Sequence, residues 1–86
     1  KPFPILREKF PCNDKEKAMQ KLQGALNIKG KRSELDGIRI DFEDGWVLVR
    51  PSGTEPVIRL TCEAKTQKRL ESVAGEAREA ILDACK

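Results

Sequence analysis

Ile38, Ile40 and Phe42 alternate with Arg39, Asp41 and Glu43, and the same period of two returns at Ile58, Leu60 and Cys62. A period of two places successive side chains on opposite faces of a strand, so each run predicts a strand with one buried face. Asp44-Gly45 follows the first run directly. This dipeptide favours two-residue hairpin turns whose central positions both take positive φ. Residues 46–50 then read as the returning strand. A loop from Pro51 to Pro56 leads into a further strand over residues 57–64.

Helical periodicity flanks this block. Asn13 stands three residues before Glu16, a capping-box-like opening for a helix over 14–27. Ala18, Met19, Leu22, Ala25 and Leu26 would share its apolar face. Thr66 can cap a final helix over 67–85, with a stripe of Leu70, Val73, Ala74, Ala77, Ile81 and Ala84. Residues 3–10 alternate loosely between prolines and read as a first strand confined to a sheet edge or a strand start. The predicted order is β-α-β-β-β-α. Such a set makes a two-layer α+β domain, two helices covering one face of a mainly antiparallel sheet and the other face partly open. The 86 residues fit one domain, 1–86. Lys1 at the start, where a complete chain would carry Met, suggests a piece of a longer protein or a processed terminus.

Charge is uneven. Residues 1–32 carry 9 basic and 3 acidic side chains, and residues 33–86 carry 8 and 11. The basic excess peaks at Lys29-Gly30-Lys31-Arg32, which could meet phosphates but reads more simply as a solvated turn. Four aromatic residues, Phe3, Phe10, Phe42 and Trp46, are few for a surface that stacks bases. Three cysteines, Cys12, Cys62 and Cys85, with no C-x-x-C pair and no histidine, argue against a disulfide framework and the usual zinc sites. Reduced, packed thiols point to the cytoplasm. No apolar run approaches the roughly 20 residues of a membrane helix, so no membrane partner is expected.

Arg50-Pro51-Ser52-Gly53-Thr54-Glu55-Pro56 is the stretch with specialised chemistry. Its two prolines fix φ at two points, and Gly53 permits a backbone shape that other residues resist. A loop of this kind can turn successive N–H groups inward as an anion-binding nest. Ser52 and Thr54 add hydroxyls, and Arg50 adds a planar guanidinium that grips phosphate through two bonds. Arg59 on the outgoing strand would bring a second positive charge if the strands pair, or would pair with Glu63. An ordinary wide hairpin also has this composition. From the residues alone, both readings stay open.

The run RPSGTEPVIRLTCEA, from Arg50 to Ala64, closely resembles the signature of the last domain of the α-D-phosphohexomutases. That family includes phosphoglucomutases, phosphomannomutases and phosphoglucosamine mutases. Residues 36–49, DGIRIDFEDGWVLV, resemble the hairpin that leads into the same loop. The two helices fit that domain in order and length. The form of the motif, followed by Glu63-Ala64-Lys65, resembles archaeal-type phosphoglucomutase/phosphomannomutase proteins, whereas bacterial phosphoglucosamine mutases look more inclined to lysine where Pro51 stands.

The resemblance implies a C-terminal domain of a fold similar to TATA-binding-protein-like domains. It would belong to a four-domain enzyme that interconverts hexose 1-phosphates and 6-phosphates of glucose or mannose through a 1,6-bisphosphate. It implies that Arg50, Ser52, Gly53 and Thr54 contact the phosphate that is not reacting, with Arg59 a fifth contact. Preceding domains of the same chain would supply a phosphoserine and a magnesium site. Neither has a counterpart here, because Ser33 and Ser72 lack matching surroundings and Asp41, Glu43 and Asp44 flank a hairpin. No catalytic residue, no metal ligand and no cofactor is therefore expected in residues 1–86, and the chain alone should be inactive. The rival reading is a nucleic-acid-binding α+β module that uses the open sheet face, and a purely structural domain is a third.

Overall fold

The period-two segments pair into one antiparallel sheet in a computed structural model that describes residues 3–86. Strand β1 covers Ile5–Pro11, followed by helix α1 (Lys15–Ala25) and strands β2 (Lys31–Ser33), β3 (Ile38–Phe42), β4 (Gly45–Pro51) and β5 (Val57–Ala64). Helix α2 (Gln67–Ala84) ends the order. The spatial order is β1-β5-β4-β3-β2, so β5 sits between β1 and β4. As the prolines predict, β1 is an edge strand.

Alternation decides which face is buried. Ile38, Ile40, Val47, Val49, Ile58, Leu60 and Cys62 point to the helices and are fully or almost fully enclosed. Against them pack Ala18, Leu22 and Leu26 from the first helical segment, and Leu70, Val73, Ala77, Ile81 and Ala84 of the predicted α2 stripe, whose sixth residue, Ala74, is also buried. Ala25 is exposed, outside the apolar face assigned to it. The other sheet face carries the alternate residues and has no second layer over it among the described residues. The fold is thus the predicted two-layer α+β class.

Four local features differ from the sequence-based expectation. The sheet has one more strand, because Lys31–Ser33 pairs with the free edge of β3. Those three residues are polar and exposed, so no periodicity announces them. Arg32 is fixed beside them. Its guanidinium donates to the carbonyls of Leu26 at 2.9 Å and Gln23 at 2.7 Å, satisfying acceptors left open at the end of α1. Part of the basic cluster is therefore a helix cap.

The α1 cap is Asp14, whose carboxylate accepts from Lys17 N–H at 3.1 Å, one residue later than the Asn13 box. A carboxylate accepts more strongly than a side-chain amide and complements the helix N-terminus, so it wins between adjacent candidates. Thr66 caps α2 as predicted, accepting from Arg69 N–H at 3.1 Å. The β3–β4 turn centres on Glu43-Asp44, since Phe42 pairs with Gly45, and neither takes a left-handed φ. Gly45 belongs inside the strand because a Cβ there would strike the Glu63 carbonyl oxygen.

The three cysteines are free thiols, Cys12 and Cys62 buried and Cys85 partly so. Burial pushes the Cys62 thiol up to about 11. Burial, then a hydrogen bond with Cys12, pushes Cys85 up to about 12. Both stay protonated near neutral pH and act as small apolar fillers.

Gly37 alone among the described residues has a left-handed backbone, with φ +83°, and a Cβ there would lie 2.8 Å from that of Arg50. Gly37→Ala should destabilise the chain by about 1–3 kcal/mol, as a left-handed non-glycine residue with a clash does. Gly75 in α2 has nothing within 4 Å of its added Cβ. Gly75→Ala should stabilise by roughly 0.5–1 kcal/mol. Urea unfolding of both variants checks the pair, and equal effects would contradict this backbone description.

A candidate anion-binding loop between two strands

The loop after Arg50 is held at its root by the sheet. Pro51 pairs with Ile58, and Ser52 N–H donates to the Val57 carbonyl at 3.0 Å. Ser52 is 8% exposed. Its hydroxyl oxygen accepts from Thr54 N–H at 3.3 Å and Glu55 N–H at 3.2 Å. Both bonds lie at or beyond the long end of the usual N–H···O range.

Of the two readings, the nest is filled from within. Two of its N–H groups turn onto the Ser52 side chain. Gly53 and Thr54 form the exposed tip. Gly53 does not take the unusual backbone expected of it, because its φ is not left-handed and an added Cβ would meet nothing within 4 Å. Conformation does not require glycine at this point.

Three further contacts pin the loop from the β1–α1 junction. Lys15 Nζ donates to the carbonyls of Ser52 at 2.6 Å and Glu55 at 2.9 Å, and Cys12 N–H donates to the Pro56 carbonyl at 2.7 Å. Lys15 lies 37 residues from Ser52 in sequence, and no local pattern marks it as a loop support.

The two arginines are brought together. β4 and β5 pair in a register that sets Arg50 directly opposite Arg59 on the open face. Cβ atoms of such partners lie about 4.5–5.5 Å apart, and like charges so placed repel. Each guanidinium leans on its own carboxylate, Arg50 on Asp36 at 3.3 Å and Arg59 on Glu55 at 3.3 Å. The side chains are 48% and 47% exposed. Arg59 does not pair with Glu63, whose Oε1 accepts from the Trp46 indole at 2.8 Å.

The rest of the open face offers little for stacking. Arg39 lies 4.6 Å over the Trp46 ring. Its guanidinium also binds Asp41, a hydrogen bond that lowers the aspartate's pKa. Phe42 faces the helices, with Arg69 4.9 Å over its ring.

A family model for the phosphoglucomutase/phosphomannomutase C-terminal domain matches residues 8–80, which include the whole loop and Arg59. The chain belongs to that family. A probable phosphoglucosamine mutase from Pyrococcus abyssi is 44% identical over 98% of this chain and 20% of its own length. The phosphoglucosamine mutase of Methanococcus vannielii is 50% identical over 72% of this chain and 15% of its own. A solved phosphoglucomutase/phosphomannomutase family structure from Burkholderia thailandensis matches with a TM-score of 0.77 at 27% identity, over 98% of this chain and 18% of that one. The chain thus spans between 15% and 20% of the length of these relatives. The expected archaeal likeness holds, but these archaeal relatives bear the name phosphoglucosamine mutase rather than the expected phosphoglucomutase/phosphomannomutase, and the α+β fold is that of the family's C-terminal domain.

The magnesium that the family resemblance implies finds no fitting set here. No three metal-ligating side chains converge among the described residues. Asp41 and Asp44 are already held by Arg39 and Arg69. No described helix is long and apolar enough to cross a membrane.

Lys15→Ala should free the loop. Losing two hydrogen bonds from a charged donor should cost about 1–2 kcal/mol in urea unfolding, and amide exchange at residues 52–55 should speed up most. Unchanged exchange in the loop would contradict the supporting role of Lys15.

Proposed function

We propose that this chain is the substrate-phosphate-binding unit of a phosphohexomutase, and that its 50–56 loop grips the phosphate that is not reacting. The observation that carries this reading is the cross-strand pair Arg50–Arg59 at the mouth of a loop whose tip is Gly53-Thr54. An incoming phosphate dianion would displace Asp36 and Glu55 from these guanidiniums. Exposed ion pairs of that kind contribute about 1 kcal/mol or less, whereas arginine binds phosphate through two charge-assisted bonds. The long bonds on Ser52 would release the Thr54 and Glu55 N–H groups toward the same anion. Glycine at 53 then has a reason that conformation does not give: without a Cβ, the backbone lets a phosphate approach closely.

The groove of about 650 Å³ behind the loop is a poorer phosphate site, because Glu16 and Glu34 line it. The ligands fitting this reading are hexose 1- and 6-phosphates and the 1,6-bisphosphate. Glucose and mannose come from the family, and glucosamine from the names of the relatives. A bisphosphate intermediate that turns end for end needs one site able to hold the phosphate at either end. Binding energy at that distal phosphate positions the reacting end. The phosphoserine and the magnesium site would lie in the rest of a longer cytoplasmic parent, and residues 1–86 would be inactive alone.

In a full-length parent, Arg50→Ala should lower kcat/KM by roughly 10- to 100-fold, or about 1.4–2.7 kcal/mol. Arg50→Lys should recover only part of that, because lysine lacks the planar fork. Steady-state kinetics with glucose 1-phosphate and glucosamine 1-phosphate checks both. Unchanged kcat/KM in Arg50→Ala would refute the phosphate-gripping role.

A further inference from the structure

The sheet register extends the arginine pair by one more cation. Lys9 of β1 stands directly opposite Arg59 of β5, which stands opposite Arg50 of β4. All three are exposed and lie on the sheet face away from the helices. With strands about 4.8 Å apart, the row spans about 10 Å. A shallow cavity of about 330 Å³ lies between β1 and β5, lined by Arg7, Glu8, Lys9, Arg59, Leu60 and Thr61. The row crosses the sheet at the end where the 50–56 loop opens.

The carboxylates nearby are committed elsewhere. Glu8, next to Lys9 in sequence, lies on the helix side, where its Oε1 accepts from Arg78 at 2.7 and 3.0 Å. Glu55 leans on Arg59 and Asp36 on Arg50. Neither Lys9 nor Arg7 makes an ion pair among the described residues. Three cations in register, with carboxylates for two, repel one another. A bound anion would relieve that repulsion.

We propose that Lys9 is a further phosphate-binding residue, which extends the site from the 50–56 loop across β5 to β1 and favours a phosphate monoester dianion. This inference rests on the loop being the phosphate site. Arg59 then sits between Arg50 and Lys9 and shares the anion with both. Lys9 contributes as a mobile point charge at the rim, while Arg50 and Arg59 supply the directional contacts.

The test is an amide NMR titration of the 86-residue chain with inorganic phosphate at about pH 8, where phosphate is dianionic, at constant ionic strength. The variants are Lys9→Ala, Lys9→Arg and Arg50→Ala. Lys68→Ala, an exposed position on α2, is the control for net charge. Lys9→Ala should weaken phosphate binding about three- to tenfold, the range of a charge-assisted contact at an exposed site. Lys9→Arg should restore most of the affinity, and Lys68→Ala should leave it nearly unchanged. If Arg50→Ala loses binding while Lys9→Ala matches Lys68→Ala, the inference fails and the loop reading stands. If the unsubstituted chain binds no phosphate, or Arg50→Ala binds it normally, the loop reading fails and takes this inference with it.

Discussion

Everything distinctive in this molecule hangs on the in-register antiparallel pairing of β4 with β5. One set of alternate residues, Val47, Val49, Ile58, Leu60 and Cys62, builds the floor of the core. The other set brings Arg50 and Arg59 face to face in solvent. A slip of one residue would exchange the two faces, burying charge and exposing the core. The hydrophobic effect that fixes the register therefore also sets the two arginines directly opposite one another. Few extra interactions are needed to position the site. The loop that joins the strands inherits rigid ends, and Lys15 and Cys12 hold Ser52, Glu55 and Pro56 from the β1–α1 junction.

The charges at this end of the sheet carry a cost in the free domain. Opposed arginines are tolerated because Asp36 and Glu55 neutralise them from loops, in pairs exposed enough to be exchanged for a better anion. That arrangement would suit the proposed phosphate site, which has to bind, release and bind again. Buried pairs would hold the arginines too firmly, and bare arginines would strain the sheet.

Much of this was legible in the residues. The period of two placed β3 and β5, and the α2 stripe was read in full, because both are amphipathic elements whose buried face is written in apolar spacing. The run from Arg50 to Ala64 marked the loop and, through its resemblance, the family, which the comparisons bear out. What escaped was decided by contacts between distant segments. Lys31-Arg32-Ser33 has no apolar alternation and becomes a strand because β3 offers a free edge and Arg32 reaches the end of α1. The turn moved from Asp44-Gly45 to Glu43-Asp44 because Gly45 is needed where β4 approaches β5. Lys15 supports a loop 37 residues away. Glu63 was lost to Arg59 because the Trp46 indole holds it. Whether the loop forms an open nest or an ordinary turn could not be read from its residues, because the Ser52 hydroxyl competes for the N–H groups two and three residues on.

The central claim is that this loop recognises phosphate and not sugar. Mapping amide shifts of the chain on addition of glucose 6-phosphate, and separately of glucose, tests it most directly. One phosphate site outside a complete cleft should bind with roughly millimolar affinity, about −4 kcal/mol, which is within reach of such a titration. The account predicts shifts concentrated at residues 50–55 and 59 with the phosphate ester and none with glucose. Equal shifts with both ligands, or ester-induced shifts that avoid the loop, would contradict it.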